Sequence, residues 1–477
     1  MHSINFDSYG NLVVKFEPTD DDDKNFNMNL FLSSAQFEQE NNLYLFKKKD
    51  DPIQISKVIK WTIEKFQNMF GDQSISISDS VKNRYEETQI NLDEYNVALE
   101  NAIKIKEKKT HAPNISSLFK RDLMEYQKLS VEHMIEVGNV ANFSVPGSGK
   151  TTITYAAISR WLEDKTIEKI LVIGPTASFL PWEEEYEQCF GHKPRSCRLS
   201  GILSQEIPNL GDAYDLFLVH FQTAMSRIWE IQSFMKKWKT VLIVDESHTM
   251  KSPNQGRYAT TALSISPYAK RRIVLSGTPI PNSLKDLWTQ ITFLWPENYP
   301  LGNQMVYNQY VNKKSQVGKY AETINKLFCR IKKKDLNLPE PVWEPISVEL
   351  NKHQREIYDI IAARTLREIQ DMSITDQAKI QKFRVARMIR LLQAASNPTL
   401  LYEMSPEFDV DNQSFSEQFG LHSTGIKLPK IEPALYEKII NYSQYEIPSK
   451  MVAAHKLAKK LYDQGKKVII WSSFIGN

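Results

Sequence analysis

The chain has 477 residues, 41% hydrophobic and 25% charged, a composition that excludes wholesale disorder and a length that exceeds one core, so two to four domains are expected. With 60 basic and 57 acidic residues the net charge is +3, which leaves nucleic-acid binding to local basic stripes. No stretch nears the roughly 18 consecutive apolar residues that span a bilayer. The N-terminus carries no secretion signal, and Cys189, Cys197 and Cys329 are too scattered for a disulfide or zinc framework. No membrane partner and no secretion are expected; a bacterial cytoplasm or a nucleic-acid-associated compartment is.

Residues 1–110 read as an accessory α+β module. "INFDSYGNLVVKFEP" predicts a hairpin turning at Ser8–Asn11, "NLYLFKK" another strand, and "ISKVIKWTIEKFQNMF" an amphipathic helix. The acidic run Asp20–Asp23 reads as a solvated loop, lacking the ligand spacing and Gly of a calcium site. The module is a candidate surface for a protein partner, with nothing in it to say which. From 111 to 300, "NVANFSV", "KILVIGP", "DLFLVHF", "TVLIVDE" and "RRIVLSGT" are continuous apolar runs separated by helices. That pattern predicts a parallel sheet covered on both faces. Residues 301–445 read as mostly helical. Residues 446–477 open another αβ unit, with a helix, a stop at Gly465 and a strand over Lys467–Trp471.

Two stretches carry the chemistry. In "NVANFSVPGSGKTT" a strand ends in a turn and a helix follows. Gly147 and Gly149 let several amides point at one phosphate, Lys150 supplies a charge to the outer phosphates, and Thr151 offers a hydroxyl suited to magnesium. Ser144 stands where the usual pattern has its first Gly, and a small residue at the strand end is expected to be tolerated. "TVLIVDESH" puts Asp245 and Glu246 at the end of an apolar strand, where open α/β sheets bind ligands. Asp245 is placed to hold magnesium and Glu246 to deprotonate the attacking water. Together they predict ATP hydrolysis, with the work it drives left open.

In order along the chain, "DLMEYQKLSVEHM", "FSVPGSGKTT", "LVIGPTASFLPWEEEY" (with the Trp182 and Glu185 spacing), "LIVDESHTMKSPNQ", "RRIVLSGTPIPNSLKDLWTQITFLWP", "CRIKKKDLNLPEP", "RMIRLLQAASNPTLL" and "GKKVIIWSSF" resemble the motifs of the SWI/SNF-like branch of superfamily 2 helicase-type ATPases. The resemblance implies a RecA-like P-loop domain, a helical insertion or brace, and the start of a second RecA-like domain that is incomplete at Asn477. It implies that Gln127 reads adenine, that Gly147, Ser148, Gly149, Lys150, Thr151 and Thr152 bind the nucleotide, and that His248 links to Ser276, Gly277 and Thr278, which couple nucleotide state to the track. It implies double-stranded DNA as that track, gripped through phosphates by Thr176, Thr223 and Lys332, Lys333 and Lys334. Thr223 reads equally as a helix N-cap. Ser247 stands where the family usually has Ala.

The expected function is therefore an ATP-dependent double-stranded DNA translocase using ATP and magnesium. A strand-separating DNA or RNA helicase and a nucleotide-gated DNA-binding scaffold are the alternatives. The family's arginine-finger segments do not follow Asn477, so weak ATP binding and poor hydrolysis are expected of these 477 residues. The Asn-, Lys- and Ile-rich composition leans towards a bacterial or viral source, with DNA processing or phage defence as the setting.

Overall fold

The computed structural model describes residues 2–474 except 41–42, 48–51, 72–73, 251–255, 282, 297–299, 303, 313–316, 371–387 and 402–432. The "KSPNQ" extension, Lys251–Gln255, lies outside the described residues.

The expected hairpin forms from β1 (His2–Phe6) and β2 (Leu12–Lys15), because Ile4, Leu12 and Val14 alternate onto one buried face. Asp7 closes the turn by accepting the amides of Tyr9 and Asn11, each at 2.8 Å. Strands β3 (Glu38–Glu40), β4 (Leu43–Phe46) and β5 (Ile75–Ile77) complete a mixed sheet of order β3-β4-β2-β1-β5. Helices α1 (Asp22–Ser34) and α2 (Pro52–Phe70) cover it with Met28, Leu32, Val58, Ile59 and Phe66.

The acidic run is not a loop. Asp21 caps α1, accepting the Lys24 amide at 3.1 Å, and Asp22 and Asp23 form the first turn, where carboxylates favour the positive helix end. The helix left no periodic signal because its apolar residues face both ways: Met28 and Leu32 are buried while Phe26 and Leu30 are exposed.

A 29-residue helix, α3 (Asp79–Glu107), joins the two cores, with no expected element over its span. Its Val81 belongs to the first core and its Tyr95, Ala98 and Ala102 to the second. The second core surrounds a seven-stranded sheet: β6 (Val140–Asn142), β7 (Lys169–Ile173), β8 (Ser196–Leu199), β9 (Leu216–Val219), β10 (Thr240–Val244), β11 (Arg271–Leu275) and β12 (Phe328–Cys329). The order is β12-β6-β11-β10-β7-β9-β8, and every pair is parallel. All residues of β7, β9 and β10 are buried, as continuous apolar runs demand of a sheet covered on both faces. The five strands expected here are present. β8 and β12 are additions, and β12 comes from the stretch read as helical, its two residues too few to show a period. Because all strands run one way, all their C-terminal ends open on one edge of the sheet.

Residues 1–339 form one compact unit and 340–477 another. In the second, Ile357, Ile361, Ala394, Leu401, Leu435, Ile439 and Tyr442 make a small helical core. Buried Gln354 ties it together, donating to the Ala394 carbonyl at 3.0 Å and accepting the Ser449 amide at 3.1 Å. The helix Ser449–Asp463 stops before Gly465 (φ 72°), as expected. The strand expected at Lys467–Trp471 does not form: residues 466–472 are irregular, with Ile469 and Trp471 exposed. A β-strand exists only by pairing, and no strand among the described residues pairs with this one. No helix among the described residues is long and apolar enough to cross a membrane.

Candidate active site

Strand β6 delivers the chain into a loop whose geometry depends on its glycines. Gly147 and Gly149 have φ of 80° and 78°, the left-handed region that side chains rarely adopt. Gly149 precedes α5 (Lys150–Glu163), so the first amides of that helix face the loop. Ser144 does more than replace a glycine. Its Oγ accepts the Ile331 amide at 2.9 Å while the Val145 amide donates to the Ile331 carbonyl at 3.1 Å. The hydroxyl thus locks the loop to the segment that leaves β12 on its flank.

Gln127, on α4 (Glu125–Val137), is buried against the same loop. Its Nε2 donates to the Ser148 carbonyl at 3.0 Å and its Oε1 accepts the Met124 amide at 2.9 Å. Any side chain at position 149 would collide with it. Ser148 keeps a buried Oγ with no hydrogen-bond partner among the described residues. The Lys150 Nζ lies 3.3 Å from the Ser144 carbonyl; burial holds its amine below the usual lysine range, against the pull of Glu246 and Asp245. The Thr152 hydroxyl is committed to Glu185, so only its backbone remains for the loop. Glu185, on α6 (Phe179–Phe190), also accepts from Arg121 at 2.6 Å.

Asp245 and Glu246 follow β10. Burial pushes the Asp245 carboxyl up, and the Trp182 indole, donating to its Oδ2 at 3.0 Å, pulls the other way. Its Oδ1 accepts the Glu246 amide at 3.0 Å. Glu246 itself sits at φ 50°, ψ 49°, a left-handed conformation that costs a non-glycine residue about 1–3 kcal/mol. A hydrogen bond from His248 holds its carboxyl below the usual range despite burial. The Nδ1 of His248 is 3.2 Å from Glu246 Oε2 and 3.3 Å from Ser276 Oγ. Ser276, at the end of β11, in turn accepts the Thr278 amide at 3.1 Å. Gly277 faces Pro146, where an added Cβ would come within 3.0 Å of Cδ. One chain of contacts therefore runs from Glu246 through His248 and Ser276 to Thr278.

The residues expected on a nucleic acid open on the same edge. Thr176 is exposed just after β7. Thr223 lies in α7 (Phe221–Ser226) after β9; it is not the N-cap, because His220 takes that place and accepts the Gln222 amide at 3.3 Å. Lys332, Lys333 and Lys334 are exposed immediately beyond β12. Sequence reasoning missed the part of Gln290, on α8 (Asp286–Leu294), whose Oε1 accepts the Ser247 hydroxyl at 2.7 Å. A lone Gln in an apolar helix carries no signal; only the fold sets it opposite Ser247.

The family described as SNF2-related domain matches residues 79–400, starting at the first residue of α3. The CHD3-type chromatin-remodeling factor CHR7 of Arabidopsis thaliana is 22% identical over 341 residues, covering 69% of this chain and 25% of its own length. The probable ATP-dependent DNA helicase CHR12 of the same plant is 28% identical over 261 residues, 52% of this chain and 22% of its own length. The chain thus spans a quarter or less of these curated relatives. The Sulfolobus solfataricus SWI2/SNF2 ATPase core in complex with dsDNA superposes with a TM-score of 0.42 at 22% identity, over 75% of this chain and 68% of that one.

Proposed function

The chain belongs to the SNF2-related domain family, and from that premise we propose that it is the motor portion of an ATP-dependent double-stranded DNA translocase. Lys150 and the backbone of Gly147–Thr152 take the phosphates of ATP. The residues suit that group: among the described residues the Ser148 hydroxyl is buried without a partner, and nothing lies within 4 Å of where a Gly147 side chain would stand. Gln127 keeps one N–H and one oxygen lone pair for the adenine edge, beyond the two bonds it already makes. Thr151 and Asp245 offer hard oxygen donors of the kind magnesium takes, and would hold it. When bound, the ion supplies neutralisation of phosphate charge. Glu246 accepts the proton of the attacking water, its ionised form favoured by the hydrogen bond from His248.

The observation that carries the motor reading is His248, within reach of both Glu246 and Ser276. Ser276, Gly277 and Thr278 respond to the nucleotide and pass its state to the track. Thr176, Thr223 and Lys332–Lys334 contact DNA phosphates, which position a motor without reading sequence. Relatives named as a chromatin-remodeling factor and an ATP-dependent DNA helicase support DNA as the track. The domain plan that goes with this reading is an accessory module over 1–110, a first RecA-like domain over 111–300, a brace over 301–445 and the opening of a second lobe over 446–477. The Asn-, Lys- and Ile-rich composition supports a bacterial or viral setting in DNA processing or phage defence, which neighbouring genes would test.

Single-turnover ATP hydrolysis with duplex DNA, single-stranded DNA or RNA tests the function. Duplex should stimulate most, and Lys150→Ala should remove the activity. Stronger stimulation by single strands or RNA would favour a strand-separating helicase, and nucleotide binding without turnover a scaffold.

A further inference from the structure

The turn bearing Glu246 has a second connection to the Ser276–Pro279 loop, and it runs through the protein interior. Ser247, next to the strained Glu246, is fully buried and donates its hydroxyl to Gln290 Oε1 at 2.7 Å. Gln290 is equally buried, in a helix all nine of whose residues are buried. Its Nε2 donates to the Pro279 carbonyl at 2.8 Å and to the Asp286 carbonyl at 3.2 Å. Pro279 is the residue after Thr278. Two hydrogen bonds thus form a polar bridge from the residue after Glu246, through Gln290 of α8, to the residue after Thr278, and the third anchors Gln290 within its own helix.

We propose that Ser247 and Gln290 are positioning residues that transmit the nucleotide state from the Asp245–Glu246 turn to the Ser276–Pro279 loop. The proposal rests on the ATP-motor reading above. Burial of two polar side chains favours folding only when both are satisfied, and a pair of apolar residues would fill the same space without that demand. What a satisfied buried bridge adds is a fixed distance between two loops, in a medium where its hydrogen bonds are not diluted by water. His248 makes a parallel link, but it is partly exposed, whereas the Ser247 bridge cannot exchange its partners for solvent. A shift of the Glu246 backbone therefore moves Ser247, and through Gln290 it pulls on the Pro279 carbonyl.

The test compares wild type, Ser247→Ala, Gln290→Leu, the double variant and Ser247→Thr, which keeps the hydroxyl. Three quantities are read: affinity for a fluorescent ATP analogue, duplex stimulation of single-turnover hydrolysis, and the change in amide exchange over residues 276–286 when the analogue binds. The double variant, with neither partner left unpaired, should bind the analogue within about twofold of wild type. It should lose roughly five- to tenfold of the stimulation, within the usual range of site-to-site coupling, and its exchange response over 276–286 should shrink to what the His248–Ser276 link alone carries. Ser247→Thr should retain both. Unchanged stimulation and exchange in a folded double variant would overturn the proposal. So would parallel loss of affinity, thermal stability and stimulation, which marks a structural role alone. A wild type that binds the analogue and shows the exchange response without duplex stimulation sinks the translocase reading only; one that binds no nucleotide sinks both.

Discussion

The two sheets of the first unit are similar in size and opposite in consequence. The five-stranded sheet is built mostly from antiparallel neighbours, so its turns are local and its strand ends alternate between edges. The seven-stranded sheet is wholly parallel, so every crossover returns the chain to start again and every strand C-terminus opens on one edge. Residues as far apart as Ser144, Asp245, Ser276 and Lys332 therefore share an edge. In the first sheet the described buried residues form a hydrophobic core. Helix α3 joins the two, with buried residues in both. Direction of strands, not composition, is what makes one sheet a site.

That contrast can be broken experimentally. The largest effect is expected at Glu246: Glu246→Gln should lower the single-turnover hydrolysis rate by about 10²–10⁴, the usual worth of a general base, with ATP-analogue affinity retained. In the first sheet Phe46→Ala should cost about 3–5 kcal/mol by urea denaturation, as loss of a buried aromatic does. Analogue affinity should not move; if it falls, α3 carries more between the sheets than packing.

Acid should act next, through His133 of α4, which is fully buried with its Nε2 3.0 Å from the Lys326 carbonyl. Burial, aided by the charge of Lys106, holds its pKa down to about 3, while an unfolded histidine titrates near 6.5. The folded state therefore binds fewer protons in that window. Stability is fully present above about pH 6.5 and falls by up to about 1.4 kcal/mol per pH unit below it. His133→Gln should flatten that slope in urea melts between about pH 7 and about pH 5. The smallest effect is a gain. Glu246→Gly relieves a left-handed conformation and should raise unfolding stability by about 1 kcal/mol while abolishing hydrolysis. A loss of stability there would show that the Glu246 conformation carries no strain.

Legibility followed the length of the signal. The runs at β7, β9 and β10 were plain because double-sided burial leaves only apolar residues. β12 was invisible at two residues, and α3 was hidden by its polar surface, its buried positions Val81, Thr88, Tyr95, Ala98, Ala102 and Ile105 being thinly spread. The acidic run misled because cap and first turn look like a loop until the helix behind them is known. The strand expected over Lys467–Trp471 has the right residues and no partner among the described ones.

The amino-acid sequence by itself determined the glycines, lysine and carboxylates of the candidate site and the strand ends that carry them, because backbone freedom and charge are properties of residue type at fixed spacing. Only the tertiary structure decided that Ser144 clamps Ile331, that Trp182 holds Asp245, that Thr152 turns to Glu185, and that Ser247 meets Gln290. Each of those pairs is between about 30 and 190 residues apart in the chain. A hydrogen bond across such a span leaves no trace in local pattern; it exists because parallel strands bring distant ends together.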